Sequence, residues 1–205
     1  MKDFWEARYG SEVWAYGKEP NQYFKTRIAQ LKPGRILLPA EGEGRNAVYA
    51  AEKAWQVTAF DLSEEARKKA LSLAADRGIK IDYQVQNIKG IEFPSQSFDA
   101  LGLIFAHFPG EHKLAYHHKL LDFLKPGGQV IMEAFSRDHL NFSRSNPAAG
   151  GPKDADMLFS IDEIEDLFPG FEVLELEQKE ITLSEGLYHR GESSVIRFTG
   201  RKAAT

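Results

Sequence analysis

The alternation of short apolar runs with helical runs constrains this chain most. An apolar run, a glycine-rich turn and a helical run follow one another from Arg35, and the same order then repeats along the chain. Ser63 precedes a helical run with Glu64 and Glu65 in its first turn, where a cap and negative charge stabilise a helix. Strands are predicted over 35–38, 56–60, 81–88, 98–105 and 129–135, and helices over 46–53, 64–78 and 111–124. Strand and helix alternation predicts a doubly wound α/β sheet.

The last third of the chain has a different pattern. Residues 137–153 are rich in Asn, Ser, Pro and Gly and predict a long loop, after which a short helix is expected over 160–168. Two alternating runs, 171–183 and 194–199, are joined by a turn over 186–191 and predict an antiparallel hairpin. We therefore expect a Rossmann-like, mostly parallel seven-stranded sheet with helices on both faces and a C-terminal antiparallel hairpin.

Length and composition favour one domain. The chain has 205 residues, which suffice for one core, and we divide the single domain 1–205 into an N-terminal helical or lid segment, 1–30, and an α/β core, 31–205. The net charge of −4 offers no basic face to nucleic acid or anionic lipid, and no apolar run is long enough to span a membrane. We expect a cytoplasmic protein with a small-molecule partner.

Metal and thiol chemistry are not expected. The chain contains no cysteine, which excludes disulfides, thiolate metal sites and cysteine nucleophiles. His112, His117 and His118 are separated by offsets that do not share a helical face, so we interpret them as solvated helix residues rather than metal ligands.

The glycine-rich turn is the first candidate site. Residues 40–47 read A-E-G-E-G-R-N-A, which satisfies the loose pattern G-x-G-x-x-A after a strand and before a helix. A plain strand-to-helix turn is the alternative interpretation. Asp61 favours a ligand site, because it ends the second strand 19 positions after Gly42, where a carboxylate can accept the hydroxyls of a ribose. Its alternative role as a helix cap is already filled by Ser63.

Charge separates the two cofactors that use such a turn. Glu41 and Glu43 would repel a pyrophosphate by an energy on the order of kcal/mol at a partly desolvated site, which disfavours NAD. S-adenosylmethionine carries a sulfonium and an ammonium group, which nearby carboxylates tolerate or attract. The turn therefore favours S-adenosylmethionine as the cofactor.

Several segments resemble class I S-adenosylmethionine-dependent methyltransferases. Residues 36–49 look like the first motif of that family, in the variety typical of the tellurite-resistance and thiopurine methyltransferase-like groups. Similar segments cover nearly the whole chain: 5–9, 16–21, Phe98-Asp99, His107, 124–128 and 150–154. The resemblance implies transfer of a methyl group to a small-molecule acceptor.

The chain departs from the family pattern at two places. Leu38 stands where the family has an acidic residue and Ala40 replaces the first glycine, so Glu41 becomes the candidate partner of the cofactor ammonium. Asn87 stands where an acidic residue often contacts the adenine amino group, and its side-chain oxygen can still accept that bond. By resemblance, Ile88 would stack beneath the adenine.

The candidate site residues follow from these patterns. The predicted cofactor contacts are Trp5, Tyr9, Ala40, Glu41, Gly42, Gly44, Asn46, Asp61, Leu62, Asn87, Ile88 and Phe105. Trp5 and Tyr9 share one helical face, either as a packing anchor or as a lid over the sulfonium. If the acceptor needs deprotonation, His107 is the first candidate base and Tyr16 the second. An NAD(P)-dependent oxidoreductase and a non-catalytic S-adenosylmethionine-binding module remain the alternative functions.

Overall fold

A computed structural model describes residues 1–204. Its helices are α1 (Lys2–Tyr9), α2 (Gln22–Ile28), α3 (Arg45–Glu52), α4 (Glu64–Asp76), α5 (Gly110–Asp122), α6 (His139–Ser145) and α7 (Ile161–Leu167). Its strands are β1 (Arg35–Pro39), β2 (Gln56–Asp61), β3 (Asp82–Val85), β4 (Phe98–Ile104), β5 (Leu124–Phe135), β6 (Phe171–Glu185) and β7 (His189–Lys202).

The seven strands form one sheet in the order β3-β2-β1-β4-β5-β7-β6. Strands β1 to β5 pair in parallel, whereas β7 pairs antiparallel with both β5 and β6. The chain reverses its direction of winding between β1 and β4, which is where open α/β sheets bind their ligands beyond the carboxyl ends of the strands. The predicted fold class is confirmed, including the C-terminal hairpin.

Both faces of the sheet are covered because the strands bury side chains on both sides. In β1, Leu37 contributes to the core beneath α5 and α7, whereas Ile36 and Leu38 contribute to the core beneath α2, α3 and α4. All three side chains have at most 1% of their surface exposed. A continuous apolar run therefore fits this central strand better than an alternating one would.

Several predicted boundaries were wrong. The third strand is limited to 82–85, because residues 86–88 leave the sheet in a turn closed by the Asn87 side chain. Part of the predicted loop 137–153 is helix α6, whose short sequence has no clear apolar period. The hairpin strands are longer than predicted, since β7 begins at His189 and the turn shrinks to 186–188. Ser63 caps α4 as predicted, its hydroxyl accepting the Ala66 N–H at 3.1 Å.

One histidine prediction was also wrong. His117 is completely buried on α5 rather than solvated, and its ring packs edge-on against Phe108, Phe159 and Phe168. Its Nδ1 donates to the carbonyl of Lys113 at 2.7 Å, and burial lowers its pKa to about 4. A single neutral imidazole buried among aromatic rings leaves no periodic pattern of residues, so the sequence could not reveal that His117 is buried.

None of the helices within residues 1–204 has the length and apolar character needed to cross a membrane.

Gly44 sets the distance between α3 and α4, which generates a stability prediction. Its φ is +85°, and a Cβ at this position would lie 2.5 Å from the Ala70 Cβ, whereas Gly78 has φ +67° with open space around it. We expect Gly78→Ala to cost about 1–2 kcal/mol from left-handed strain alone. Gly44→Ala should cost about 1–3 kcal/mol more, because the two helices must separate. Equal losses in denaturant unfolding would contradict this packing constraint.

Candidate functional site

Left-handed backbone occurs at three positions along the carboxyl edge of the sheet. Ala40 after β1 has φ +51°, Gly42 has φ +59°, and Phe105 after β4 also has φ +51°. Left-handed backbone is unfavourable for Ala and Phe, and such strain is often found at functional sites. Of the four non-glycine residues with positive φ within residues 1–204, Ala40 and Phe105 stand at the ends of the neighbouring strands β1 and β4, on either side of the switch point, whereas Ala54 and Gln96 precede β2 and β4.

Glu41 caps helix α3. Its Oε1 accepts the N–H groups of Asn46 and Ala47 at 2.8 and 2.7 Å, so the carboxylate faces the positive end of the helix. Its Oε2 makes no hydrogen bond within residues 1–204. Burial raises the pKa of Glu41 to about 7 against the opposing effect of these bonds. The sequence suggested an ammonium contact for Glu41 and did not suggest the cap.

Asp61 joins the glycine turn to the start of α4. Its Oδ2 accepts the Gly42 N–H and its Oδ1 accepts the Ser63 N–H, both at 3.1 Å. The side chain is 8% exposed, and burial raises its pKa to about 6. A carboxylate that holds both turns at the ends of β1 and β2 can still accept further bonds through its remaining lone pairs.

Glu43 has a different role from the one predicted. Its carboxylate accepts the N–H groups of Ala15 and Tyr16 at 3.1 and 3.3 Å, and Lys69 donates to it at 2.8 Å. Its charge is therefore compensated and turned toward the N-terminal chain. Repulsion of a pyrophosphate would therefore come from the carboxylates of Glu41 and Asp61 rather than from that of Glu43.

Within the predicted segment 1–30, residues 1–21 lie across the carboxyl edge of the sheet, and these residues are called the N-terminal segment from here on. The buried Tyr9 places its hydroxyl against Gly42, where a Cβ would lie 2.7 Å from it, and Trp5 stacks on Tyr9 at 5.4 Å between ring centroids. Glu6 fastens α1 to α4 by accepting the Ser63 hydroxyl at 2.6 Å and the N–H groups of Glu64 and Glu65. The segment thus covers the glycine turn.

The remaining predicted cofactor contacts divide into two groups. Ala40, Leu62, Asn87 and Phe105 are exposed or half-buried and follow the carboxyl ends of four adjacent strands, so they lie along one edge of the sheet. Ile88 and Asn46 are buried. Ile88 packs in the main hydrophobic core. Asn46 accepts the backbone N–H of Asn21 at 2.9 Å and so helps to fix the N-terminal segment.

The geometry does not favour His107 as a base. The Phe135 N–H donates to its Nε2 at 3.2 Å, which assigns the proton to Nδ1 and lets that nitrogen donate to the Met157 carbonyl at 2.8 Å. Both ring nitrogens are thereby engaged, and burial lowers the pKa to about 3. The hydroxyl of Tyr16, the second candidate, accepts a bond from Arg8 at 2.9 Å, and burial raises its pKa.

Sequence reasoning missed a polar network beneath the N-terminal segment. Asn21 donates to the buried Glu133 at 2.7 Å and to Glu185 at 3.1 Å. Glu133 is paired with Arg197 at 2.6 Å, and Glu185 is paired with Arg45 at 2.8 Å. The network joins β5, the hairpin and α3, which are distant in sequence, so no local spacing could reveal it.

Two surface depressions lie apart from the glycine turn. One, of about 360 Å³, is bordered by Lys113, Arg137 and Glu163, whose charges pair with one another. The other, of about 490 Å³, lies at the opposite edge of the sheet beside the first residues of β1, β2 and β3. The buried carboxylates and the strained Ala40 and Phe105 make the carboxyl edge the candidate site, and the N-terminal segment covers its glycine turn.

Part of the chain matches a known protein family. Residues 36–128, which run from β1 into β5, match the family described as "Methyltransferase domain". This region is similar to methyltransferase domains. The matched stretch contains the glycine turn, Asp61, Asn87 and Phe105, and the resemblance of the chain to class I methyltransferases is confirmed.

Sequence relatives cover the domain only in part. The chain is 30% identical over 126 residues to a ubiquinone biosynthesis O-methyltransferase of Xanthomonas euvesicatoria, a match that covers 60% of this chain and 51% of that protein. An uncharacterised protein of Mycobacterium tuberculosis is 31% identical over 107 residues, with 50% of this chain and 38% of that protein covered. The chain thus spans about half or less of the curated relatives it matches.

Solved structures share the fold over most of the chain. TehB from Haemophilus influenzae aligns with a TM-score of 0.72 and 16% identity, covering 98% of this chain and 66% of that one. A Burkholderia thailandensis 1,6-didemethyltoxoflavin-N1-methyltransferase, solved with 1,6-didemethyltoxoflavin and S-adenosylhomocysteine bound, aligns with a TM-score of 0.62 and 18% identity, covering 89% and 79%. These likenesses support the methyltransferase fold of the domain.

The raised pKa of Glu41 predicts how stability depends on pH. A folded-state pKa above the unfolded value means that folding takes up protons between the two values, so stability falls as pH rises from about 4 toward 7. Glu41→Gln keeps an oxygen for Asn46 and Ala47 but cannot ionise. We therefore expect the free energy of unfolding of this variant to decline less between pH 5 and pH 8 than that of the unmodified protein.

Glu180→Gln provides the control for this measurement, because Glu180 is exposed on β6. Its stability should follow the pH dependence of the unmodified protein. If Glu41→Gln and Glu180→Gln gave the same slope in urea unfolding, Glu41 would not be the titrating group.

Proposed function

We propose that this protein transfers a methyl group from S-adenosylmethionine to a small-molecule acceptor at the carboxyl edge of β1, β2 and β4. One observation carries the proposal: two buried carboxylates, Glu41 and Asp61, converge on the glycine turn inside a methyltransferase domain. No positive charge of the turn is free to bind a pyrophosphate, because Arg45 is paired with Glu185. The site suits a cationic nucleoside.

Each part of the cofactor has a candidate partner in the domain. Asp61 would accept the ribose hydroxyls, and the unbonded Oε2 of Glu41 would face the ammonium group. Asn87 and Ile88 are proposed beside the adenine by family resemblance. The cofactor supplies a methyl group on a sulfonium, whose positive charge the rings of Trp5 and Tyr9 would stabilise by cation–π attraction.

The protein residues would align the acceptor with the methyl group and exclude water from the site. Displacement at a sulfonium needs the acceptor in line with the methyl group, and such alignment can supply up to about 7–11 kcal/mol of the barrier reduction. The half-buried Phe105, which follows β4, would offer an apolar wall for the acceptor, and the buried Phe135 at the end of β5 supports it with ring centroids 4.6 Å apart. The segment over 1–21 would exclude water during the reaction and move to admit ligands.

The acceptor is proposed to be a small molecule rather than a nucleic acid, because a chain with net charge −4 offers no basic surface to a phosphate backbone. The relatives include an O-methyltransferase and a structure holding a small heterocyclic acceptor. A cytoplasmic location stays a prediction from the sequence.

Calorimetry with S-adenosylhomocysteine tests the cofactor. We expect binding of S-adenosylhomocysteine and none of NAD or NADP at the same concentration. Asp61→Asn should weaken binding by about 1–3 kcal/mol, because a ribose hydroxyl loses a charged acceptor. Asp76→Asn is the matched control, since Asp76 is exposed at the end of α4. Tight binding of NAD by the unmodified protein would refute the proposal.

Limited proteolysis tests the lid. Arg8 is half-buried in α1, so tryptic cuts after it report on opening of the N-terminal segment. We expect S-adenosylhomocysteine to slow these cuts, and Glu6→Ala to accelerate them because α1 loses its attachment to α4. Glu12→Ala removes an exposed carboxylate from the same segment and should behave like the unmodified protein. If neither the ligand nor Glu6→Ala changed the rate of cleavage, the N-terminal segment would only pack against the domain and would not act as a lid.

A further inference from the structure

We propose that His189 is the general base of the methyl transfer, that Glu185 orients it, and that the acceptor atom is a hydroxyl oxygen. The inference rests on the proposed function and adds to it a base and an acceptor class. Neither residue belongs to the candidate site derived from the sequence, and neither lies in the segment 36–128 that matches the domain family.

The hydrogen bond between the two side chains fixes the tautomer of His189. Nδ1 lies 3.1 Å from Oε2 of Glu185, and an ionised carboxylate only accepts, so Nδ1 carries the proton. Nε2 therefore presents its lone pair, and it makes no hydrogen bond within residues 1–204. The pKa of Glu185 is lowered to about 2 by Arg45 and His189 against the effect of burial, while burial lowers the pKa of His189. The imidazole is neutral and able to accept a proton.

His189 lies beside Phe105, the residue proposed to line the acceptor site. Its ring centroid lies 4.4 Å from that of Phe105 and 5.2 Å from that of Phe135, at the ends of β4 and β5. Arg45, which directly follows the glycine turn, donates to the same Oε2 that holds His189. The dyad is thus connected to the proposed cofactor site through one side chain.

The N-terminal segment controls access to the dyad. The Tyr16 ring covers His189 at 4.5 Å between centroids, and the backbone of Tyr16 is held by Glu43 and Arg45. An acceptor would reach Nε2 when Tyr16 moves aside, and closing of the segment would then enclose it. The groups that face the imidazole are Glu185, Arg45, Tyr16 and, at longer range, His139.

The other histidines near this edge do not offer the same arrangement. Both nitrogens of His107 are bonded to the backbone. His139 is completely buried and stacked on Phe135 at 3.9 Å; its Nε2 donates to the Gly150 carbonyl, and its Nδ1 is enclosed without a partner. Of these three rings, His189 alone is paired with a carboxylate.

The chemistry of the step selects a hydroxyl acceptor. As the acceptor oxygen forms its bond to the methyl carbon, its proton passes to Nε2, and the electron pair of the broken C–S bond returns to sulfur. The products are a methyl ether, S-adenosylhomocysteine and an imidazolium that returns its proton to solvent. A thiolate or a neutral amine attacks without prior loss of a proton, so a fixed neutral imidazole contributes most when the acceptor is a protonated hydroxyl.

Two probe acceptors test the base. We expect 3,4-dihydroxybenzoate to be methylated by the unmodified protein and about 10²–10⁴-fold more slowly by His189→Gln in single-turnover experiments. With 4-nitrobenzenethiol, which is already a thiolate at neutral pH, His189→Gln should retain its rate to within a few-fold. His118→Gln changes an exposed histidine of α5 and should leave both rates unchanged. An equal loss with both probes, or no loss with the hydroxyl, would overturn the role of His189.

Imidazole nitrogen NMR gives a result even if neither probe reacts. At pH 7 the unmodified protein should show His189 neutral and protonated on Nδ1, and Glu185→Ala should introduce the Nε2-protonated form that free histidine prefers. An imidazolium, or Nε2 protonation in the unmodified protein, would overturn the inference. Calorimetry with S-adenosylhomocysteine separates the two proposals: His189→Gln should bind it normally, whereas a lack of binding by the unmodified protein would contradict the proposed function itself.

Discussion

The close approach of chain segments around the glycine turn is the constraint on which the rest of this structure depends. Gly44 lets α3 pack directly on α4, and Gly42 leaves space that the Tyr9 hydroxyl fills. Tyr83 of β3, which lies beyond β2 in the sheet, donates to the carbonyl of Gly42, while Asp61 accepts the N–H of Gly42. A turn held from both sides in a left-handed conformation brings two carboxylates to one edge of the sheet, where each is buried and carries a raised pKa.

Burying negative charge is unfavourable unless hydrogen bonds or cations compensate it, and this site uses both. Glu41 is compensated by the N-terminus of α3, and Glu43 by Lys69 and two backbone N–H groups. Glu185 is compensated by Arg45. The N-terminal segment takes part in this compensation rather than only covering apolar surface. Its removal would leave carboxylates without donors, so its attachment and the electrostatics of the site are coupled.

The order of strands and helices could be predicted because each βα unit repeats the same local signals: an apolar run, a turn with glycine or a capping residue, and a helical run. The positions of Gly42 and Asp61 followed from the same signals. The surroundings of Glu43 and His189 could not be predicted, because the residues around them lie far away in sequence: Ala15 beside Glu43, and Phe105 and Phe135 beside His189, whose hydrogen-bond partner Glu185 alone is near in sequence. His107 was favoured as a base from its place after β4, and only three-dimensional contacts reveal that its nitrogens already serve the backbone.

The cofactor is proposed to bind at the glycine turn beneath residues 1–21. Hydrogen–deuterium exchange with and without S-adenosylhomocysteine tests this site most directly, because the backbone N–H groups of Gly42, Tyr9 and Tyr16 report on the turn and its cover together. We expect the ligand to slow exchange in peptides over 1–21 and 40–47, with little change in β6, which lies at the far edge of the sheet. Protection confined to another surface, or none in either peptide at saturating ligand, would contradict it.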